Sequence, residues 1–151
     1  MDVFPNGRVT LQHYQGELWE VAQDFVYYWS AEDMLFTTPK GVLTDQASIG
    51  NVIPPFILND TGCISNGAVP HDYIYECMTL PEDINVGFWM SRRDADRLFR
   101  DACMDAGLAK WRAWLAYVGV RVLSAHRSLT WRSEDADNSQ PEQVRYQQPD
   151  Q

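Results

Sequence analysis

Ser91-Arg92-Arg93-Asp94-Ala95-Asp96-Arg97-Leu98-Phe99-Arg100-Asp101-Ala102-Cys103-Met104-Asp105-Ala106-Gly107 sets the fold class of this chain. Ala95, Leu98, Phe99, Ala102 and Ala106 fall at i, i+3, i+4, i+7 and i+11, the stripe of a helix packed on one side. Ser91 is a good N-cap, because its hydroxyl can accept from a backbone N–H of the first turn. Asp94, three residues on, makes a variant of the capping box. Gly107 closes the helix, since glycine takes the left-handed conformation that helix ends use. Asp96 borders the apolar stripe, where a carboxylate must find a partner or lose its charge.

Upstream, Pro70-His71-Asp72-Tyr73-Ile74-Tyr75 predicts another helix, from Pro70 to about Thr79, with the proline in the first turn where its missing N–H costs nothing. Downstream, residues 109 to about 126 predict a third helix, expected to bury Trp111, Trp114, Leu115, Val118, Val122 and Leu123. The first third of the chain reads as strands. Residues 9–14 and 18–29 are rich in β-branched and aromatic side chains and flank the turn Gln15-Gly16. Residues 34–38 and 42–43 flank the turn Pro39-Lys40-Gly41. Between sheet and helices, residues 44–69 are crowded with turn formers (Gly50, Pro54, Pro55, Asn59, Gly62, Asn66, Gly67) and read as a long irregular loop, anchored by Phe56-Ile57-Leu58.

The expected class is therefore α+β: a small N-terminal antiparallel sheet, a long irregular loop and three C-terminal helices, two of them an antiparallel His/Asp pair. One domain spans 1–132. Residues 133–151 form an acidic, Gln- and Pro-rich extended tail that cannot bury enough apolar surface to fold alone.

Composition narrows the function. The net charge is −9, and the tail holds five acids against one base. That balance argues against a nucleic-acid partner, which needs a basic face. No apolar run reaches the roughly 18–20 residues of a membrane span. Met1-Asp2-Val3-Phe4 lacks the basic-then-apolar pattern of a signal peptide, so synthesis in the cytoplasm is expected. Cys63, Cys77 and Cys103 match no zinc ligand spacing, and an odd count suits a reducing compartment. The chain has six Trp and seven Tyr, a surplus of large amphipathic rings that suits a core or an interface.

His71 and Tyr75 share a helix face, being four apart, and Asp72 points about 100° away. At a helix start, His71 would feel the positive end of the dipole, which disfavours imidazolium and leaves the neutral ring that a general base or metal ligand needs. Asp72 suits a hard cation such as calcium. If the two helices run antiparallel, Asp96 could accept from one imidazole nitrogen and leave the other free for a water, the orienter–base arrangement of hydrolytic sites. The plain alternative is that Asp72 complements the dipole and Asp96 pairs with Arg92 or Arg100. Asp45 could complete a cation site or cap its loop, and Ser48 reads better as a capping residue. The antiparallel pairing carries a geometric test: Cys63 should meet Cys103, and Cys77 should lie near Met90. Phe88-Trp89-Met90 could dock on a membrane but reads better as core or subunit packing. His13 and His126 read as solvent-facing.

Thr44-Asp45-Gln46-Ala47-Ser48-Ile49, then His71-Asp72-x-x-Tyr75, then Arg93-x-Ala95-Asp96-x-x-Phe99, resembles a domain family of unknown function (family 1353) of tailed phages and prophages. The likeness covers roughly residues 19–119. The family's Val-Pro-x-Gly-Phe entry stands here as Thr38-Pro39-Lys40-Gly41-Val42, and Gly50 replaces its proline. The resemblance implies a phage origin without an activity. His-Asp-x-x-Tyr followed by Ala-Asp-x-x-Phe also resembles, more locally, the catalytic helix pair of phospholipases A2. That likeness implies His71 as the base, Asp72 as a calcium ligand, Asp96 holding His71, and Tyr75 bonded to Asp96. Calcium is the favoured cation and zinc the less favoured. No Tyr-x-Gly-x-Gly stretch precedes His71, so Asp60-Thr61-Gly62-Cys63 or Asp45 would have to substitute.

Two functions follow as expectations. One is a phage-encoded hydrolase acting on a lipid or another cell-envelope component. The other is a non-catalytic virion or tail protein, made in the host cytoplasm, whose His/Asp cluster is structural. Its tail and aromatic surface would then bind phage structural proteins or further copies of itself.

Overall fold

Phe25-Val26-Tyr27-Tyr28-Trp29 and Met34-Leu35-Phe36-Thr37-Thr38 alternate buried and half-buried side chains, the signature of a two-stranded ribbon with one face on the core. A computed structural model describes residues 1–44, 61–81, 84 and 86–134. Among the described residues, five strands, β1 (Leu11–Gln15), β2 (Leu18–Val21), β3 (Phe25–Trp29), β4 (Met34–Thr38) and β5 (Leu43–Thr44), precede three helices. These are α1 (Thr61–Thr79), α2 (Arg92–Asp105) and α3 (Lys110–Leu123), with a 3-10 segment, Ala125–Thr130, after the last.

The expected α+β class is what the chain adopts, with every described strand pair antiparallel. Among the described residues the single sheet expected is instead two: β1-β2-β5 and the hairpin β3-β4. The run 18–29 breaks between Val21 and Phe25. Ala22 N–H donates to Thr10 O there, and Asp24 Oδ1 accepts from Lys40 N–H. β3-β4 lies on the helices. Phe25, Tyr27, Trp29, Met34 and Phe36 join Ile74, Met78, Ala95 and Leu98 in one buried cluster. The polar tips of two of these rings are satisfied on α2: Trp29 Nε1–H donates to Asp101 (2.7 Å) and Tyr27 O–H to Asp105 (2.7 Å).

α2 follows its sequence closely. Ser91 Oγ accepts from Asp94 N–H at 3.0 Å. Gly107 has φ +112°. With Gly107 N–H on Met104 O and Leu108 N–H on Cys103 O, the helix ends in a Schellman motif.

α1 departs from expectation. It begins nine residues before Pro70, so the last part of the supposed irregular loop is helix and the proline sits mid-helix. Pro70 costs the bond that residue 66's carbonyl would have accepted, and packing outweighs it. A Cβ on Gly67 would lie 2.4 Å from Phe99 O and 2.5 Å from Cys103 Sγ. This glycine is a point of close helix–helix approach, not a turn. Asn66 accepts from Val9 N–H and donates to Gly62 O. Residues 45–60, including Asp45, Ser48 and the Phe56-Ile57-Leu58 anchor, lie outside the described residues, as does the tail from 135.

Contacts run backwards along α2 as they run forwards along α1: Cys63 with Ala106, Ile64 with Cys103, Gly67 with Phe99, His71 with Asp96. The pair is antiparallel, as expected. Cys63 and Cys103 share one buried cluster, while Cys77 and Met90 share the other. All three cysteines are free thiols.

α3 overturns its prediction. It buries Ala113, Ala116 and Val120. Trp111, Trp114, Leu115, Val118, Val122 and Leu123, expected in the core, are exposed. Small side chains admit close packing on α2, and the bulky row faces the other way. Phe88 and Trp89 pack against the core and Met90 lies within it. His13 and His126 face solvent.

Candidate functional site: a buried carboxylate shared by three helices

Asp96 is fully buried. Its Oδ1 accepts from His71 Nε2–H at 2.7 Å and from Tyr75 O–H at 2.5 Å, both on the facing side of α1. Its Oδ2 accepts from Arg121 Nη1 of α3 at 2.9 Å, with Arg92 Nη1 of its own helix 3.6 Å away. One carboxylate therefore joins all three helices. Arg92 is the i−4 partner considered from sequence. Arg100 is not a partner: it pairs with Asp101 and stacks on Trp114.

The imidazole is held on its faces as well. The Tyr75 ring lies 4.2 Å from it and the Phe99 ring 5.3 Å, centroid to centroid. Trp131 packs edge-on against Tyr75. His71 is 7% exposed. Because Nε2 donates to Asp96, Nδ1 is the accepting nitrogen of the neutral ring. Nδ1 makes no hydrogen bond among the described residues. It lies 3.9 Å from Asp72 Oδ1, an ion-pair distance too long for a hydrogen bond. Asp72 Oδ2 accepts from Thr44 Oγ1 (3.1 Å), which ties β5 to α1 beside the imidazole.

The electrostatics correct the dipole argument. His71 is the eleventh residue of α1, far from the helix start. Burial alone would lower its pKa, but the carboxylates of Asp72 and Asp96 outweigh burial and raise it above 6.5. Burial would likewise raise Asp96, and the His71, Tyr75 and Arg121 contacts bring it below its ordinary 3.8. The pair is a buried ion pair in character. Burial and the neighbouring carboxylate push Tyr75 up, so its hydroxyl stays protonated and donates.

The structure thus brings His71, Tyr75, Asp72 and Asp96 together, and Asp45 lies outside the described residues. Sequence reasoning missed Arg121 and Thr44. Arg121 carried one signal: it is the single charged residue between Trp114 and Leu123. Among the described residues, no group of three or more His, Cys, Asp or Glu could hold a metal ion. Calcium takes roughly six to eight oxygens; of the two carboxylates expected to hold it, Asp72 accepts from Thr44 Oγ1 and Asp45 lies outside the described residues.

The fold and the cluster define an α+β protein with a His/Asp/Tyr hub clamped between antiparallel helices. A family model described as "Protein of unknown function (DUF1353)" matches residues 19–120, more than half of the chain, and the chain belongs to that family. No curated protein and no solved structure matches it. No described helix is long and apolar enough to cross a membrane.

Proposed function

We propose that the protein is a hydrolase in which His71 is the general base and Asp96 orients it. The observation that carries this reading is the division of labour on the imidazole. Nε2 is engaged by a buried carboxylate, while Nδ1 has no hydrogen bond among the described residues and faces Asp72. A water seated at Nδ1 gives up its proton to the ring as it attacks an ester carbonyl, and Asp96 stabilises the imidazolium that forms. The same proton then passes to the leaving alkoxide. Tyr75 holds Oδ1 of Asp96 in place and Arg121 holds Oδ2, so the base is positioned by groups whose own geometry is fixed.

The likeness of the helix pair to that of phospholipases A2 supports a lipid ester, or another cell-envelope component, as substrate. The resemblance to phage and prophage proteins supports synthesis in a bacterial host, with incorporation in the virion as one outcome. The test is release of fatty acid from phospholipid vesicles by the full chain, with and without added calcium or zinc, beside His71→Ala. Activity in the wild type that is lost in the variant is expected. It should rise with pH above 6.5, as the raised His71 pKa requires. Equal background release by both proteins would remove the lipase reading.

One observation favours a second reading, a structural clamp in a virion or tail protein. Both oxygens of Asp96 accept from side chains of the two other helices, His71 and Tyr75 of α1 and Arg121 of α3. On that reading His71→Ala lowers stability and abolishes assembly with phage structural proteins, with no hydrolysis to lose.

A further inference from the structure

Residues 106–133 hold five basic side chains, Lys110, Arg112, Arg121, Arg127 and Arg132, and no acidic one, within a chain of net charge −9. Arg121 is engaged by Asp96 and Arg132 is buried. Lys110 and Arg127 are exposed, and Arg112 is half-buried with its guanidinium 5.2 Å from the Trp111 ring centroid. The acids that flank the segment are Asp105, bonded to Tyr27, and Glu134.

The same segment carries the largest apolar exposure among the described residues. At about 100° per residue, Trp111, Trp114, Leu115, Val118 and Val122 form one side of α3, opposite the buried Ala113, Ala116 and Val120. Trp111 is 55% exposed, Val122 65%, and Leu129 in the 3-10 segment 88%. On the same wheel Lys110 and Arg112 lie at opposite edges of that side. A helix apolar all round is ordinarily covered on both sides. A second copy covers this face poorly. Two-fold pairing of copies brings Lys110, Arg112 and Arg127 of each onto a surface whose segment has no carboxylate to meet them. An anionic lipid surface matches both the bulky apolar row and its basic rim.

We propose that this face of α3 and the 3-10 segment docks on an anionic lipid surface. The Trp111 and Trp114 rings lie at headgroup level, and Lys110, Arg112 and Arg127 meet the headgroup charge. Arg121 lies in the chain between exposed Val118 and Val122 and reaches Asp96, so the docked face borders the His71 cluster. Docking does not require that His71 be catalytic.

The test is co-sedimentation of the full chain with mixed phosphatidylglycerol–phosphatidylcholine vesicles and with pure phosphatidylcholine vesicles, with tryptophan emission read in parallel. Binding to the anionic vesicles with a blue shift is expected. V118E should abolish it, and K110E and R127E should each weaken it by at least about fivefold. His71→Ala should bind like the wild type, which separates docking from hydrolysis. All the charge-altering positions are exposed, so circular dichroism should show these variants folded. No pelleting with either vesicle, or equal pelleting with both, would overturn the proposal. So would a dimer in analytical ultracentrifugation that V118E disperses without any vesicle binding.

Discussion

At the scale of the residue, Asp96 organises the centre of this protein. It is a fully buried carboxylate that accepts from an imidazole, a phenol and a guanidinium, with a second guanidinium near. Removing one partner from such a group leaves the others as uncompensated buried charge. Asp96→Asn keeps the shape and removes the charge facing Arg92, Arg121 and His71. It should cost about 3–5 kcal/mol, read as a fall in the urea midpoint. A change within about 0.5 kcal/mol, the range of an ordinary surface substitution, would show that the helices do not depend on this hub.

At the scale of the element, the α1–α2 contact is set by what is missing from Gly67. Alanine is the better helix former by about 1 kcal/mol, so propensity alone predicts that Gly67→Ala stabilises α1. The space predicts the reverse. The new Cβ would meet the Phe99 carbonyl at 2.4 Å, and backbone of a packed helix cannot yield as a flexible side-chain tip would. Overpacking should win, with a net loss of about 1–3 kcal/mol in chemical denaturation. A gain in stability would mean that the two helices stand further apart. The same contact explains why the start of α1 was hidden in its sequence. Gly62, Asn66 and Gly67 are turn formers by local preference, yet Gly67 serves close packing and Asn66 ties Val9 and Gly62 to the helix.

At the scale of the whole molecule, the His71–Asp96 pair makes stability depend on pH in two windows. The folded pKa of His71 is raised, so its contribution is complete below its ordinary 6.5 and is lost as pH rises through the folded value. Asp96 is lowered, so its contribution is present above its ordinary 3.8 and is lost as pH falls through its folded value. Urea titrations should therefore show wild-type stability declining as pH climbs past 6.5. His71→Gln, which has no proton to lose there, should lack that decline. Parallel profiles for the two proteins would sink the ion-pair description of the site.

Much of this was legible in the chain itself, for short-range reasons. The stripe from Ala95 to Ala106, the Ser91 cap and the Gly107 stop specify α2 within a few residues of one another. The i, i+4 spacing puts His71 and Tyr75 on one face, and Asp96 at the border of its stripe needed a partner. Tertiary structure alone decided three other matters. α3 has an apolar row on each of two opposite sides, and the side with the small Ala113 and Ala116 is the one that lies on α2, because small side chains permit close approach. Arg121 reaches Asp96 from 25 residues away in sequence, a distance that no local pattern spans. His71 is raised rather than lowered because its field comes from two carboxylates packed beside it, and not from the end of its own helix.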